Sequence, residues 1–123
     1  MDRQFRILVV DDEPHGQQLL EAILLEENYE LLFAENGPKA IKQVTELLPD
    51  IVLLDVMMPE MNGFEVCQMI RSNADTSKIP IILITALDDR DMEKKGFEAG
   101  ANDYISKPYD RNEVLIKINS LLG

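Results

Sequence analysis

Basic residues are scarce in this chain: 12 lysines and arginines stand against 23 aspartates and glutamates, for a formal net charge of −11. A field of that sign repels a polyanion, which argues against nucleic acid as a ligand of this chain by itself. It suits a domain that gathers metal cations or docks on a basic partner surface, although much of the acid is expected to be a solvated face. Cysteine is nearly absent. The one present, Cys67, excludes an internal disulfide and fits a reducing compartment. No apolar run approaches the roughly 18 residues of a membrane span. The start, Met-Asp-Arg-Gln-Phe-Arg, lacks the apolar segment of a secretory signal. Low-complexity segments are missing too, and 46% hydrophobic with 28% charged residues is ordinary for a globular chain. These absences lead us to expect a cytoplasmic protein with no membrane association, forming one domain over its 123 residues.

What is present alternates. Short apolar runs at Ile7–Val10, Glu30–Ala34, Ile51–Leu54, Ile81–Ile84 and Tyr104–Ile105 read as strands. Between them, His15–Glu27, Lys39–Leu48 and Arg111–Leu122 carry apolar residues at helical spacing, and Gly63–Arg71 and Asp88–Glu98 have the right length. Asn36-Gly37-Pro38 opens the second helix, Pro49-Asp50 closes it, Pro80 precedes the fourth strand and Pro108 follows the fifth. The first, third and fourth runs are apolar without alternation, as in strands buried on both faces of a parallel sheet. Five strands alternating with five helices predict an α/β fold with a doubly wound parallel sheet. Ligands of such sheets bind beyond the carboxyl ends of the strands.

At those ends stand Asp11-Asp12-Glu13 after the first strand, Asp55 after the third, Thr85 after the fourth and Lys107 after the fifth. Carboxylates gathered this closely repel one another unless a cation joins them. Mg²⁺ (or Mn²⁺) is the natural candidate, held by carboxylates, water and a backbone carbonyl such as that of Met57. The chemistry this set supports is transfer of a phosphoryl group to a carboxylate. Asp can serve as nucleophile without a base, since it is already ionised at neutral pH. Lys107 and Thr85 would neutralise and hydrogen-bond the phosphoryl oxygens, and the small Ala86 leaves the approach to Asp55 open.

Val-Val-Asp-Asp-Glu, Leu-Leu-Asp-Val-Met-Met-Pro-Glu-Met-Asn-Gly, Ile-Thr-Ala, Gly-Ala-Asn-Asp-Tyr and Ser-Lys-Pro occur in that order. Together they resemble the response-regulator receiver family, over roughly Arg6 to Leu122. The resemblance implies a flavodoxin-like (βα)5 fold with strand order 2-1-3-4-5. It implies that Asp55 accepts the phosphoryl group from a phosphohistidine on a sensor histidine kinase or phosphotransfer protein. Asp12 would be a direct metal ligand, Asp11 would act largely through water, and Thr85 and Tyr104 would form the switch. A cis peptide is expected at Lys107-Pro108. The output surface is expected on the fourth helix, fifth strand and fifth helix, including Lys94, Lys95, Tyr104 and Arg111, where two copies could also pair. Positions two beyond the phosphoacceptor and two beyond the threonine, here Met57 and Leu87, carry nothing to orient water. Slow loss of the phosphoryl group is the expectation. No DNA-binding or enzymatic output domain is expected after Leu121-Leu122-Gly123; the domain works alone or has been cut from a longer protein.

Simpler readings stand beside these. Asp11 and Asp12 could cap the first helix, Thr85 could be a plain strand residue, Lys107 an ion-pair partner, and Tyr104 a half-buried aromatic. His15 reads as a solvated helix-start residue and Cys67 as a small core residue. Met57, Met58 and Met61 either adapt to a partner or fill gaps. A dehalogenase-type phosphatase would want a second acid two residues beyond Asp55, where Met57 stands. A flavodoxin-like cofactor binder would want a small, hydroxyl-rich phosphate loop in place of Asp11-Asp12-Glu13.

Overall fold

The computed structural model describes residues 4–86 and 90–123. Ten elements alternate along the chain: β1 (Phe5–Val10), α1 (Pro14–Leu24), β2 (Tyr29–Ala34), α2 (Gly37–Leu47), β3 (Ile51–Asp55), α3 (Gly63–Ser72), β4 (Ile81–Thr85), α4 (Arg90–Ala99), β5 (Asp103–Ser106) and α5 (Arg111–Leu122). The strands form one sheet in the order β2-β1-β3-β4-β5, and every adjacent pair is parallel. This is the flavodoxin-like arrangement that the alternation and the resemblance led us to expect.

Strand residues alternate between two cores. Leu8, Val10, Val52, Leu54, Ile81 and Leu83 pack with Ala40, Val44, Val66, Cys67 and Ile70, beneath α2, α3 and α4. Ile7, Val9, Ile51, Leu53, Ile82 and Ile84 pack on the other face with Leu20, Leu24, Val114 and Ile118 of α1 and α5. Every residue of β3 and β4 is buried, which is why those strands read as unbroken apolar runs.

Helix starts follow the local chemistry. Asn36 accepts from Lys39 N at 2.9 Å and Asn62 from Glu65 N at 3.0 Å, the latter within a full capping box. The first helix ends at Leu24, three residues short of the expected Glu27. There the chain turns, with Glu27 N donating to Leu24 O. Glu26 is exposed and Glu27 half-buried, and neither adds to the apolar stripe, so no apolar contact of theirs prolongs the helix past its last buried residue. The expected start of the fourth helix at Asp88 lies outside the described residues. No helix among the described residues is long and apolar enough to cross a membrane.

Candidate functional site

Parallel register brings the strand ends level, pairing Val10 with Leu54, Asp55 with Ile84, and Thr85 with Ser106. The residues just beyond therefore meet at one mouth. Carboxylate oxygens of Asp11, Asp12 and Asp55 all lie within 4.8 Å of one another. Asp11 is fully buried and Asp55 is 3% exposed.

Neither Asp11 nor Asp12 caps α1. The N-cap is Glu13, whose side chain makes no capping bond. Instead, Asp11 Oδ1 accepts from Glu13 N at 2.9 Å, closing a turn that carries the chain from β1 into the helix. Gln17 Nε2 donates to the Asp11 carbonyl at 2.8 Å, fastening the same turn. Gly16 explains how Asp11 can point inward: a Cβ there would stand 1.9 Å from Asp11 Oδ2. Among the described residues that oxygen has no hydrogen-bond partner. Burial raises the Asp11 pKa above its ordinary value, the bond from Glu13 lowers it, and the neighbouring Asp55 charge raises it again.

Asp55 is better served. Its Oδ1 accepts from Met57 N at 3.1 Å, and Lys107 Nζ donates to Oδ2 at 3.1 Å. Gly63 lets α3 start directly over this strand end, since a Cβ there would lie 2.5 Å from the Asp55 carbonyl oxygen. The Lys107–Pro108 peptide is cis, as expected, and Lys107 N donates to Thr85 O at 2.8 Å. Burial alone would lower the Lys107 pKa. The charge of Asp55, the bond to it, and the charges of Asp11 and Glu13 outweigh that and raise it.

A buried carboxylate oxygen without a partner, beside two further carboxylates, is a donor set that fits a hard divalent cation. The acidic pocket is thus consistent with a metal site.

The remaining expected residues separate. Thr85 is buried, and with Tyr104, Gly96 and Phe97 it lines one narrow crevice. Tyr104 meets the Phe97 ring edge-on at 6.1 Å, while Lys117 Nζ sits 4.7 Å over its face and donates to its carbonyl at 2.6 Å. Lys94 and Lys95 are exposed on α4. Arg111 lies with Glu26 and Glu27, at 3.7 and 3.9 Å, beside the turn after α1. Met57 is 61% exposed, whereas Met58 and Met61 pack into the core. His15 is exposed and Cys67 buried, both as expected. Leu87 lies outside the described residues. Sequence reasoning missed Phe97, Lys117 and Tyr109; the last follows Lys107-Pro108 and gave no motif signal of its own.

The comparisons with known proteins agree with this geometry. The response regulator receiver domain family matches residues 7–119. Response regulator PleD of Caulobacter vibrioides is 47% identical over 94% of this chain, which spans 26% of PleD. The transcriptional regulatory protein ResD of Bacillus subtilis is 45% identical over 95% of this chain, which spans 48% of ResD. A solved chemotaxis response regulator of Vibrio cholerae superposes with a TM-score of 0.90 at 25% identity, over 97% of this chain and 99% of that one. This chain belongs to the response regulator receiver domain family, and is a signalling phosphoacceptor domain of a two-component system rather than an enzyme.

Proposed function

We propose that Asp55 is the phosphoacceptor of this receiver, within one domain spanning residues 1–123. The observation that carries this reading is its setting: a nearly buried carboxylate with Lys107 Nζ 3.1 Å from one oxygen and two further acids close by. A carboxylate oxygen of Asp55 attacks the phosphorus of a phosphohistidine on a two-component kinase or phosphotransfer protein. The new bond is P–O, the bond that breaks is P–N, and the electron pair leaves with the imidazole of the donor. Asp12, Asp55 and the Met57 carbonyl would hold Mg²⁺ (or Mn²⁺) directly, and Asp11 through water. Bound there, the ion supplies neutralisation of the charge on the phosphoryl oxygens.

The protein's own groups do the rest. Met57 N and Lys107 Nζ hold the Asp55 carboxylate in place before the donor arrives. Lys107 then serves a phosphoryl oxygen as a point charge and Thr85 donates to another. Thr85 and Tyr104 share a crevice, so a shift of the threonine changes the room available to the ring. That coupling would carry the signal to the face formed by α4, β5 and α5, where an output partner or a second copy docks. A single, buried cysteine supports a reducing, cytoplasmic setting.

Phosphoramidate tests the reading, because its P–N bond is of the same kind as that of phosphohistidine. A phosphoryl adduct that forms with Mg²⁺ and is absent with excess chelator is expected. Equal phosphorylation with and without divalent cation would overturn the metal-dependent assignment.

A further inference from the structure

Asp11 is held at three points, and each sets something different. Its backbone N donates to Ala34 O at 3.1 Å, which continues the pairing of β1 with β2. Its Oδ1 accepts from Glu13 N at 2.9 Å, which sets its own carboxylate. Its backbone carbonyl accepts from Gln17 Nε2 at 2.8 Å. That carbonyl belongs to the peptide joining Asp11 to Asp12, the two acids that share the mouth with Asp55. A peptide unit is planar and turns as one body about its flanking dihedrals. Whatever fixes this plane also fixes the direction in which the chain delivers the Asp12 side chain.

A second bond of the same kind lies close by and leads nowhere near the acids. Gln43 Nε2, on α2, donates to Phe33 O of β2 at 2.8 Å. Gln17 and Gln43 line the same polar pocket of about 250 Å³, with Glu35 and Lys39. The pocket is large enough for water, so either carbonyl can be hydrated once its amide is lost. Water satisfies the acceptor without holding the peptide in one orientation. Only the carbonyl served by Gln17 is attached to residues of the site.

We propose that Gln17 is a positioning residue of the acidic pocket, its amide holding the Asp11–Asp12 peptide so that both carboxylates keep their aim at the cation. It acts through the backbone of the acids, as outer partners of metal ligands act through the groups they orient. Methionine at this position keeps the length and the unbranched stem but loses the donor.

This inference rests on the reading of Asp11 and Asp12 as the metal site, and one experiment distinguishes the two. MgCl2 is titrated calorimetrically into metal-free wild type, Gln17→Met and Gln43→Met, at a temperature where circular dichroism shows each protein folded. Wild type is expected to bind, Gln43→Met to match it, and Gln17→Met to bind about tenfold more weakly. Wild-type affinity in Gln17→Met overturns the positioning role and leaves the metal site standing. An equal loss in both variants also overturns it, since loosening of the pocket wall then accounts for the effect. A Gln17→Met protein that does not fold overturns it too, because the amide is then a support of the fold and not of the site. If wild type itself does not bind Mg²⁺, both readings fall.

Discussion

Lys107 Nζ lies 3.1 Å from Asp55 Oδ2, joining two strand ends that are 52 residues apart in sequence. Removing the cation leaves a nearly buried carboxylate facing two other acids. Because Lys107 is about one-third exposed, at 34%, the cost is well below that of breaking a fully buried pair. Lys107→Met is expected to destabilise the metal-free protein by about 1–2 kcal/mol, read from urea unfolding. The folded pKa of Lys107 is raised above its ordinary 10.5. Its stabilising contribution is therefore complete below that value and lost as pH rises through the folded one. The gap between wild type and variant should stay constant through neutrality and close only in strong alkali. A gap that varies near neutrality would assign the effect to other groups.

Asp11 has the opposite consequence for stability. Its pKa is raised, so ionisation opposes folding: the favourable contribution is present below the ordinary 3.8 and disappears as pH climbs through the raised value. Asp11→Asn should therefore stabilise the metal-free protein by about 1 kcal/mol at neutral pH. The advantage over wild type should grow from acid to neutral conditions. The same variant should lose most of the gain in melting temperature that Mg²⁺ gives wild type. Thermal melts with and without MgCl2 check both halves; a variant less stable than wild type at neutral pH without metal would contradict the account.

Arg71 acts as a clamp away from the site. Its guanidinium donates to Gly100 O at 2.8 Å, Ile79 O at 2.7 Å and Asn102 Oδ1 at 2.8 Å, tying α3 to both ends of the β4–α4 unit. Arg71→Lys replaces a planar fork by one point donor and leaves acceptors unserved. A loss of about 2 kcal/mol is expected, with Mg²⁺ affinity unchanged. Denaturant unfolding and metal titration of the same variant would show whether the two effects separate.

The resemblance implies that the phosphoryl lifetime depends on the residues two beyond Asp55 and two beyond Thr85. Met57 is exposed and apolar, and Leu87 is apolar too. Neither has a group to orient water. Phosphorylated wild type should outlast the Met57→Asn, Leu87→Glu double variant by at least about tenfold, followed by the decay of the phosphoprotein. A wild-type half-life no longer than the variant's would remove the claim of a long-lived signal.

Much of this was legible because parallel strands buried on both faces leave unbroken apolar runs, and β1, β3 and β4 do so. Asp11, Asp12, Asp55 and Thr85 were singled out because each stands at the end of such a run, and Lys107 because it follows the shorter Tyr104–Ile105 run. The fourth helix gave a weaker signal for a physical reason. It meets the sheet through Gly96, packed tightly against Leu83, and Ala99 rather than through an aliphatic stripe. The three clamp bonds of Arg71 depend on contacts between distant segments, as do the oxygens of Asp11 and Tyr109 that are unpaired among the described residues, and residue spacing encodes neither. The turn at Asp11 was open to two readings in sequence, as helix cap or pocket acid, and the N-cap position of Glu13 together with the bond from Glu13 N to Asp11 distinguishes them.

The most direct test of the central claim is intact mass spectrometry after incubation with acetyl phosphate and Mg²⁺, for wild type and Asp55→Ala. The account predicts one added phosphoryl group on wild type and none on the variant. No adduct on wild type, or an equal adduct on both proteins, would contradict it.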